Sequence, residues 1–356
     1  MSLLSRDIAR RIYGAVALVS IALLVLFGLF DLIDQLDTSR SRAPTALQAL
    51  ALTALLVPGH FYELLPVATL IGGLVVMAQL AASSEYTVIR TSGVSVAGML
   101  QRLALPAAVI ALIGVLAGEW LAPLADQQSR RLKLGGDTLV AQQMSTGYWL
   151  KDGSSFVNLE GVIPDGQMLA PVVYLFDPKG ELTQVLRARA ARFDGDGHWL
   201  LEDVEATAFG AAGVVVTRES VQRWPTRLGP DILRVMAVAP DRMSALELWP
   251  YLAHLRKNRQ DTGRHETALW SKVLYPLSIA AMILLALCFA RLQGRAGGIM
   301  VKVFAGILLG IGFHFLSRVG NNLGQLNAWP PLVGAGAATA AFIVLAVLLL
   351  RRVERV

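Results

Sequence analysis

The feature that most constrains this chain is a series of apolar runs about 20 residues long, the length of helix that crosses ~30 Å of hydrocarbon. Hydrocarbon offers no partner to backbone N–H and C=O groups, so such runs must satisfy their backbones internally, as helices. Residues 12–36, 103–124, 269–290, 301–319 and 330–350 are runs of this kind. Residues 46–82 are apolar too, but Pro58-Gly59-His60 and Pro66 interrupt them. That stretch is too long for one plain span and too short for two spans with a turn. Proline breaks the helical ladder, so the sequence predicts one crossing over 63–82 preceded by an interfacial helix.

Composition agrees with a membrane protein. Of 356 residues, 54% are hydrophobic and 16% charged, with a mean hydropathy of +0.54. Soluble domains of this length carry more charge. The single cysteine, Cys288, excludes an intrachain disulfide and a thiolate metal cluster. Arg6, Arg10 and Arg11 precede the first apolar run as in a signal peptide. That run is too long for one and lacks a small-residue cleavage site, so an uncleaved first span is expected.

Residues 125–264 have ordinary soluble composition. Strand patterns occur at 147–151, 155–160, 171–176, 182–187, 190–194, 199–205, 213–218 and 221–225. Turn signals punctuate them, including Lys151-Asp152-Gly153, Pro164-Asp165-Gly166 and Asp194-Gly195-Asp196-Gly197. Many short strands without intervening helices suggest a sandwich or jelly roll. Ser244-Ala245-Leu246-Glu247 is a capping-box pattern that opens a helix returning the chain to the membrane. The expected fold class is a polytopic α-helical membrane protein with six transmembrane helices and an inserted all-β, jellyroll-like domain. Its parts are spans 1–3 over 1–124, the β-domain and return helix over 125–264, and spans 4–6 over 265–356.

Lys and Arg in short loops set orientation. Eleven of them, among them Arg6, Arg10, Arg11, Arg90 and Arg102, fall on the side of the N-terminus. The opposite side carries three: Arg40, Arg42 and Arg318. This asymmetry predicts both termini in the cytoplasm and the β-domain outside, in the periplasm of a Gram-negative cell. The net charge of +6 reads as this topology signal, since no basic stripe with interleaved aromatics suggests nucleic acid.

Catalytic signatures are absent. The sequence has no GxxxxGK[ST], HExxH or GxSxG, and its five histidines are scattered. No metal or cofactor is expected, and energy for any work would come from a partner. Glu85, in Ser83–Gly93, is either an anchor for a partner arginine on a short amphipathic helix or a solvated loop charge. Asp31, Glu119, Lys272 and Arg318 lie near the outer ends of four spans, as interface residues or as a functional cluster. His314 and Arg318 are spaced to share a helix face. Arg130, Arg131 and Lys133 follow span 3 at its outer mouth, either as a site for an anionic headgroup or as a solvated stalk. Gly306-xxx-Gly310 permits close helix approach.

Several local sequences carry a family resemblance. Gly118-Glu119-Trp120-Leu121-Ala122-Pro123, Gly147-Tyr148-Trp149-Leu150-Lys151-Asp152-Gly153 and Trp270-Ser271-Lys272-Val273-Leu274-Tyr275-Pro276 resemble motifs of the lipopolysaccharide-export permeases. The order of three spans, β-domain and three spans resembles that family across essentially the whole chain. Asp34-Gln35-Leu36 and the GEW motif are closer to the G-type than to the F-type paralogue. The resemblance implies a non-catalytic half-transporter in the cell inner membrane. It would pair with the F-type subunit above a dimeric cytoplasmic ATPase, and the β-domains, with that of a single-span periplasmic partner, would pass lipopolysaccharide extracted from the inner membrane to a periplasmic bridge toward the outer membrane. Residues 79–93 resemble the family's coupling helix, placed at about 83–96, so Glu85 and Arg90 become candidate ATPase-coupling residues. Arg130 and Lys133 match basic positions near the lipid headgroup. Asp31 stands where the comparison has lysine, and an acid would repel phosphate. Arg318 is expected either to pair with Asp31 or to replace the missing base. The alternatives are the F-type paralogue and a membrane scaffold without a substrate path.

Overall fold

The computed structural model describes residues 3–37, 45–133, 148–162, 167–195, 197–210, 213–226, 228–230, 233, 239–289, 299–326 and 329–354. Arg40, Arg42, Gly147, the Pro164-Asp165-Gly166 turn and Asp196 lie outside the described residues, as do the side chains of Arg130, Arg131 and Lys133. The chain forms two compact units, one of residues 1–126 and 263–356 and one of residues 127–262.

The first unit is helical. Its elements are α1 (Leu3–Asp37), α2 (Ala46–Ala82), α3 (Glu85–Thr91), α4 (Val96–Leu116), a π-helical turn (Ala117–Leu121) and the start of α5 (Ala122–Lys133). After the second unit come α7 (Gly263–Phe289), α8 (Ile299–Leu326) and α9 (Pro331–Glu354). Among the described residues, six helical stretches of the chain are long and apolar enough to cross a membrane.

The expected break in residues 46–82 does not occur. One helix of 37 residues runs through Pro58 and Pro66. Thr45 and Gln48 close a capping box at its start. Proline at 66 deprives the Tyr62 carbonyl of its intrahelical donor, and the Tyr275 hydroxyl donates to that carbonyl instead, at 3.0 Å. A neighbouring helix thus supplies the bond, and the helix continues.

α2 is the axis of the unit. In its most apolar 18-residue window 89% of residues are buried, against 11% in α1. Glycines set how closely its neighbours approach. A Cβ at Gly72 would lie 2.8 Å from the Val16 backbone nitrogen, and one at Gly310 would lie 2.5 Å from Val67 Cγ1. Two apolar clusters meet on this axis. One joins α1, α2, α3, α4 and α7 through residues such as Ile12, Met77, Tyr86, Met99 and Ile283. The other joins α2, α7, α8 and α9 through Leu70, Leu74, Met282, Phe313 and Phe342. Within the second, Ser278 and Thr339 share a buried hydrogen bond of 2.8 Å.

The second unit is an antiparallel sheet. Its strands are β1 (Tyr148–Asp152), β2 (Ser155–Leu159), β3 (Gly161–Val162), β4 (Met168–Leu169), β5 (Val172–Phe176), β6 (Leu182–Arg187), β7 (Ala190–Gly195), β8 (His198–Gly210) and β9 (Gly213–Pro225). The order is β1-β2-β5-β6-β8-β7-β4-β3, with β9 also on β8. β8 therefore has two neighbours end to end on one edge. Residues 198–202 pair with β7 and 205–208 with β6. Asp203 lies between these segments with φ +52°, a left-handed conformation that aspartate tolerates, and accepts from Arg189 Nε at 2.7 Å. The sheet curls at this point, and both arms contribute to one core around Trp199, Leu201, Val157 and Val173. Buried Trp199 donates its indole N–H to the Leu228 carbonyl at 2.7 Å. Residues 213–218 and 221–225 form one strand rather than two, because β8 offers an unbroken edge to pair with.

The chain leaves the sheet through α6 (Ala245–Lys257), opened by the Ser244–Glu247 capping box. Asn258, after its last turn, accepts from the Gly153 N–H at 3.4 Å and lies 2.9 Å from His254 Nε2.

Candidate functional site

Two groups of ion-paired residues mark the helical unit. In one, four consecutive α2 residues, His60-Phe61-Tyr62-Glu63, form a hub that reaches three neighbouring elements and the π-turn. His60 Nε2 lies 2.7 Å from Asp31 Oδ2 on α1. Glu63 Oε2 lies 3.5 Å from Arg318 Nη2 on α8. The Tyr62 ring carries Lys272 Nζ of α7 at 5.2 Å from its centroid and stacks on Tyr275 with centroids 4.3 Å apart. Aromatic faces attract cations, so the ring helps to hold the lysine.

The expected link between Asp31 and Arg318 is not formed. Asp31 is engaged by His60, and Arg318 lies against Glu63 and, at 3.4 Å, His314. His60, the first residue of the hub, faces α1 and takes up Asp31, while Glu63, at the other end of the hub, lies toward α8 and takes up Arg318. Arg318 retains a side chain 61% exposed.

Lys272 and Glu119, which the sequence placed on separate spans, form an ion pair of 2.8 Å with exposures of only 7% and 18%. The π-turn makes this possible. Its widened backbone leaves the Gly118 carbonyl available, and Lys272 Nζ donates to it at 3.3 Å. Gly118 is required there, since a Cβ would lie 2.3 Å from the Tyr62 ring. The GEW motif is therefore a backbone device as much as a charged one. A π-turn has no periodic sequence signal, and only the Gly-Glu pair hinted at it.

The other group lies at the elbow between α2 and α4. Ser84 turns the chain with φ +59°, and α3 then runs for seven residues. Tyr86 and Ile89 are buried beneath it, while Val88 is 64% exposed. Glu85 opens α3. Its carboxylate accepts from Ser83 Oγ at 2.9 Å and lies 3.2 Å from Arg11 Nη1 on α1. Arg90 reaches forward and donates to the Val94 carbonyl at 2.7 Å. That bond closes the loop to α4, and it engages Arg90 within the chain. Among the described residues no group of three or more His, Cys, Asp or Glu could hold a metal ion.

Comparison with known proteins decides the family. Residues 6–352 match the family described as lipopolysaccharide export system permease LptF/LptG. The chain belongs to the LptF/LptG family. It is 34% identical over 316 residues to the lipopolysaccharide export system permease protein LptG of Escherichia coli strain K12, covering 86% of each chain. The protein of the same name from Haemophilus influenzae is 28% identical over 312 residues, again covering 86% of each. As a member of the LptF/LptG family, the chain is a multi-pass membrane protein whose helices carry one inserted β-sheet unit.

Proposed function

We propose that this chain is the G-type membrane subunit of a lipopolysaccharide exporter in the cell inner membrane, with both termini cytoplasmic and the β-unit periplasmic. It pairs with an F-type subunit, sits on a dimeric cytoplasmic ATPase and, with a single-span periplasmic partner, passes lipid to a periplasmic bridge toward the outer membrane. Family membership and the names of the LptG relatives favour this over a scaffold without a substrate path, and over the F-type role. The loop charge asymmetry supports the orientation.

The observation that carries the mechanism is the elbow. Glu85 opens a short helix whose apolar underside is anchored and whose outer face, with Val88, is exposed. A carboxylate there suits a charge-assisted bond to a basic group on the ATPase. Closure of the ATPase dimer would push on α3, and the anchored underside would pass that push into the helical unit. The exposed guanidinium of Arg318 offers a cation to a phosphorylated headgroup, and Arg130 and Lys133 are proposed as further headgroup contacts on the strength of the sequence alone. Asp31 has one carboxylate oxygen engaged by His60 rather than by Arg318, which leaves the Arg318 guanidinium for the phosphate.

The decisive test is co-purification with the ATPase and assay of its turnover in Glu85→Ala. Loss of capture or of lipid-stimulated turnover is expected, and unchanged assembly and coupling would remove the reading. For the headgroup, Arg318→Ala and Lys133→Ala should each weaken crosslinking to lipopolysaccharide. If Lys133→Ala weakens it and Arg318→Ala does not, Arg318 is not the replacement base.

A further inference from the structure

Asp7, Arg11 and Glu85 form a chain of charge across two helices. Arg11 Nε lies 2.8 Å from Asp7 Oδ2, one turn earlier on α1. Arg11 Nη1 lies 3.2 Å and 3.4 Å from the two oxygens of Glu85. A guanidinium is a rigid fork, so holding one nitrogen on Asp7 fixes the direction in which the others point. Beneath these charges Ile8 and Ile12 of α1 share an apolar cluster with Tyr86 and Ile89 of α3.

The Arg11 and Glu85 side chains are 37% and 44% exposed. Ion pairs this exposed add little to stability, so the arrangement does not serve to hold the helices together. It constrains the carboxylate instead. Ser83 and Arg11 approach it from within the chain, and a carboxylate has about four acceptor directions, so capacity remains for an incoming cation.

We propose that Arg11 is a positioning residue for Glu85: it aims the carboxylate at a basic group of the cytoplasmic partner. This rests on the reading of Glu85 as the partner contact. Docking is then registered by α1 as well as by α2 and α4, which adjoin α3 in sequence.

The test uses the full complex with the F-type chain and the ATPase, carrying Arg11→Ala, Arg11→Lys, Glu85→Ala or Arg11→Ala with Glu85→Ala. The readouts are ATPase affinity for the permease pair and the split between KM and kcat for ATP. Arg11→Ala should weaken ATPase affinity about threefold to fivefold, the scale of an exposed ion pair, with KM for ATP unchanged. Arg11→Lys should recover at least half of that loss. The double variant should bind no worse than Glu85→Ala alone, because aiming an absent carboxylate has no effect. If Glu85→Ala weakens binding while Arg11→Ala does not, the proposal fails and the reading of Glu85 stands. If the two losses multiply, Arg11 acts independently of Glu85 and the proposal is overturned. If Glu85→Ala has no effect, the underlying reading fails and this inference fails with it.

Discussion

Removing Lys272 takes from Glu119 its ion partner at 2.8 Å, at a place where both side chains are largely shielded from solvent. Breaking one side of a buried pair costs roughly 3–5 kcal/mol. Lys272→Met should therefore lower the thermal midpoint of the detergent-purified protein sharply, and adding Glu119→Gln should restore most of the loss. Gly118→Ala tests the same knot through its backbone. The added methyl meets the Tyr62 ring at 2.3 Å, so a loss of about 1–3 kcal/mol is expected. Gly312→Ala has nothing within 4 Å and should be neutral by the same measurement. The individual polar residues were visible in the sequence, but their partners were not. Glu119 and Lys272 are 153 positions apart, and local spacing holds no information about such a pair. His60 was read as part of a helix break, which concealed it as the partner of Asp31.

At the scale of elements, apolar run length made the spans legible and turn residues made the strands legible. Continuity was what escaped. α2 passes through Pro66 because α7 supplies a donor to the carbonyl which that proline frees, a compensation that α2's own sequence cannot reveal. β9 is continuous because of the strand beside it. α6 gives a pH prediction. Burial holds the His254 pKa below its ordinary value, Asp152 opposing and Lys257 adding to the effect. With Asn258 accepting from Gly153, its amide N–H₂ donates to a neutral His254 Nε2. The unfolded chain binds this proton more readily, so stability is present above the unfolded pKa of about 6.5 and is lost as pH falls through it toward the lower folded value. Amide protection of residues 245–257, corrected for intrinsic exchange, should fall between pH 7.5 and 5.5. His254→Gln should flatten that dependence.

For the molecule as a whole, the sequence could give orientation only through loop charges, and a labelling experiment can check it. Cys288 is 1% exposed, so it gives little background reaction with a membrane-impermeant maleimide. On the proposed orientation a cysteine at Lys179 should react in spheroplasts, and one at Thr91 should react only after lysis. The two apolar clusters around α2 also impose an order on biosynthesis. Leu70 and Leu74 are covered by α7, α8 and α9, all of which follow the β-unit in the chain. The ribosome delivers α2 early and its covering helices last. Until residue 263 emerges, Leu70 and Leu74 lack their native helix neighbours and the packing contacts these supply, and a chain stopped at 262 should be cleared by membrane proteases rather than accumulate as a stable fragment.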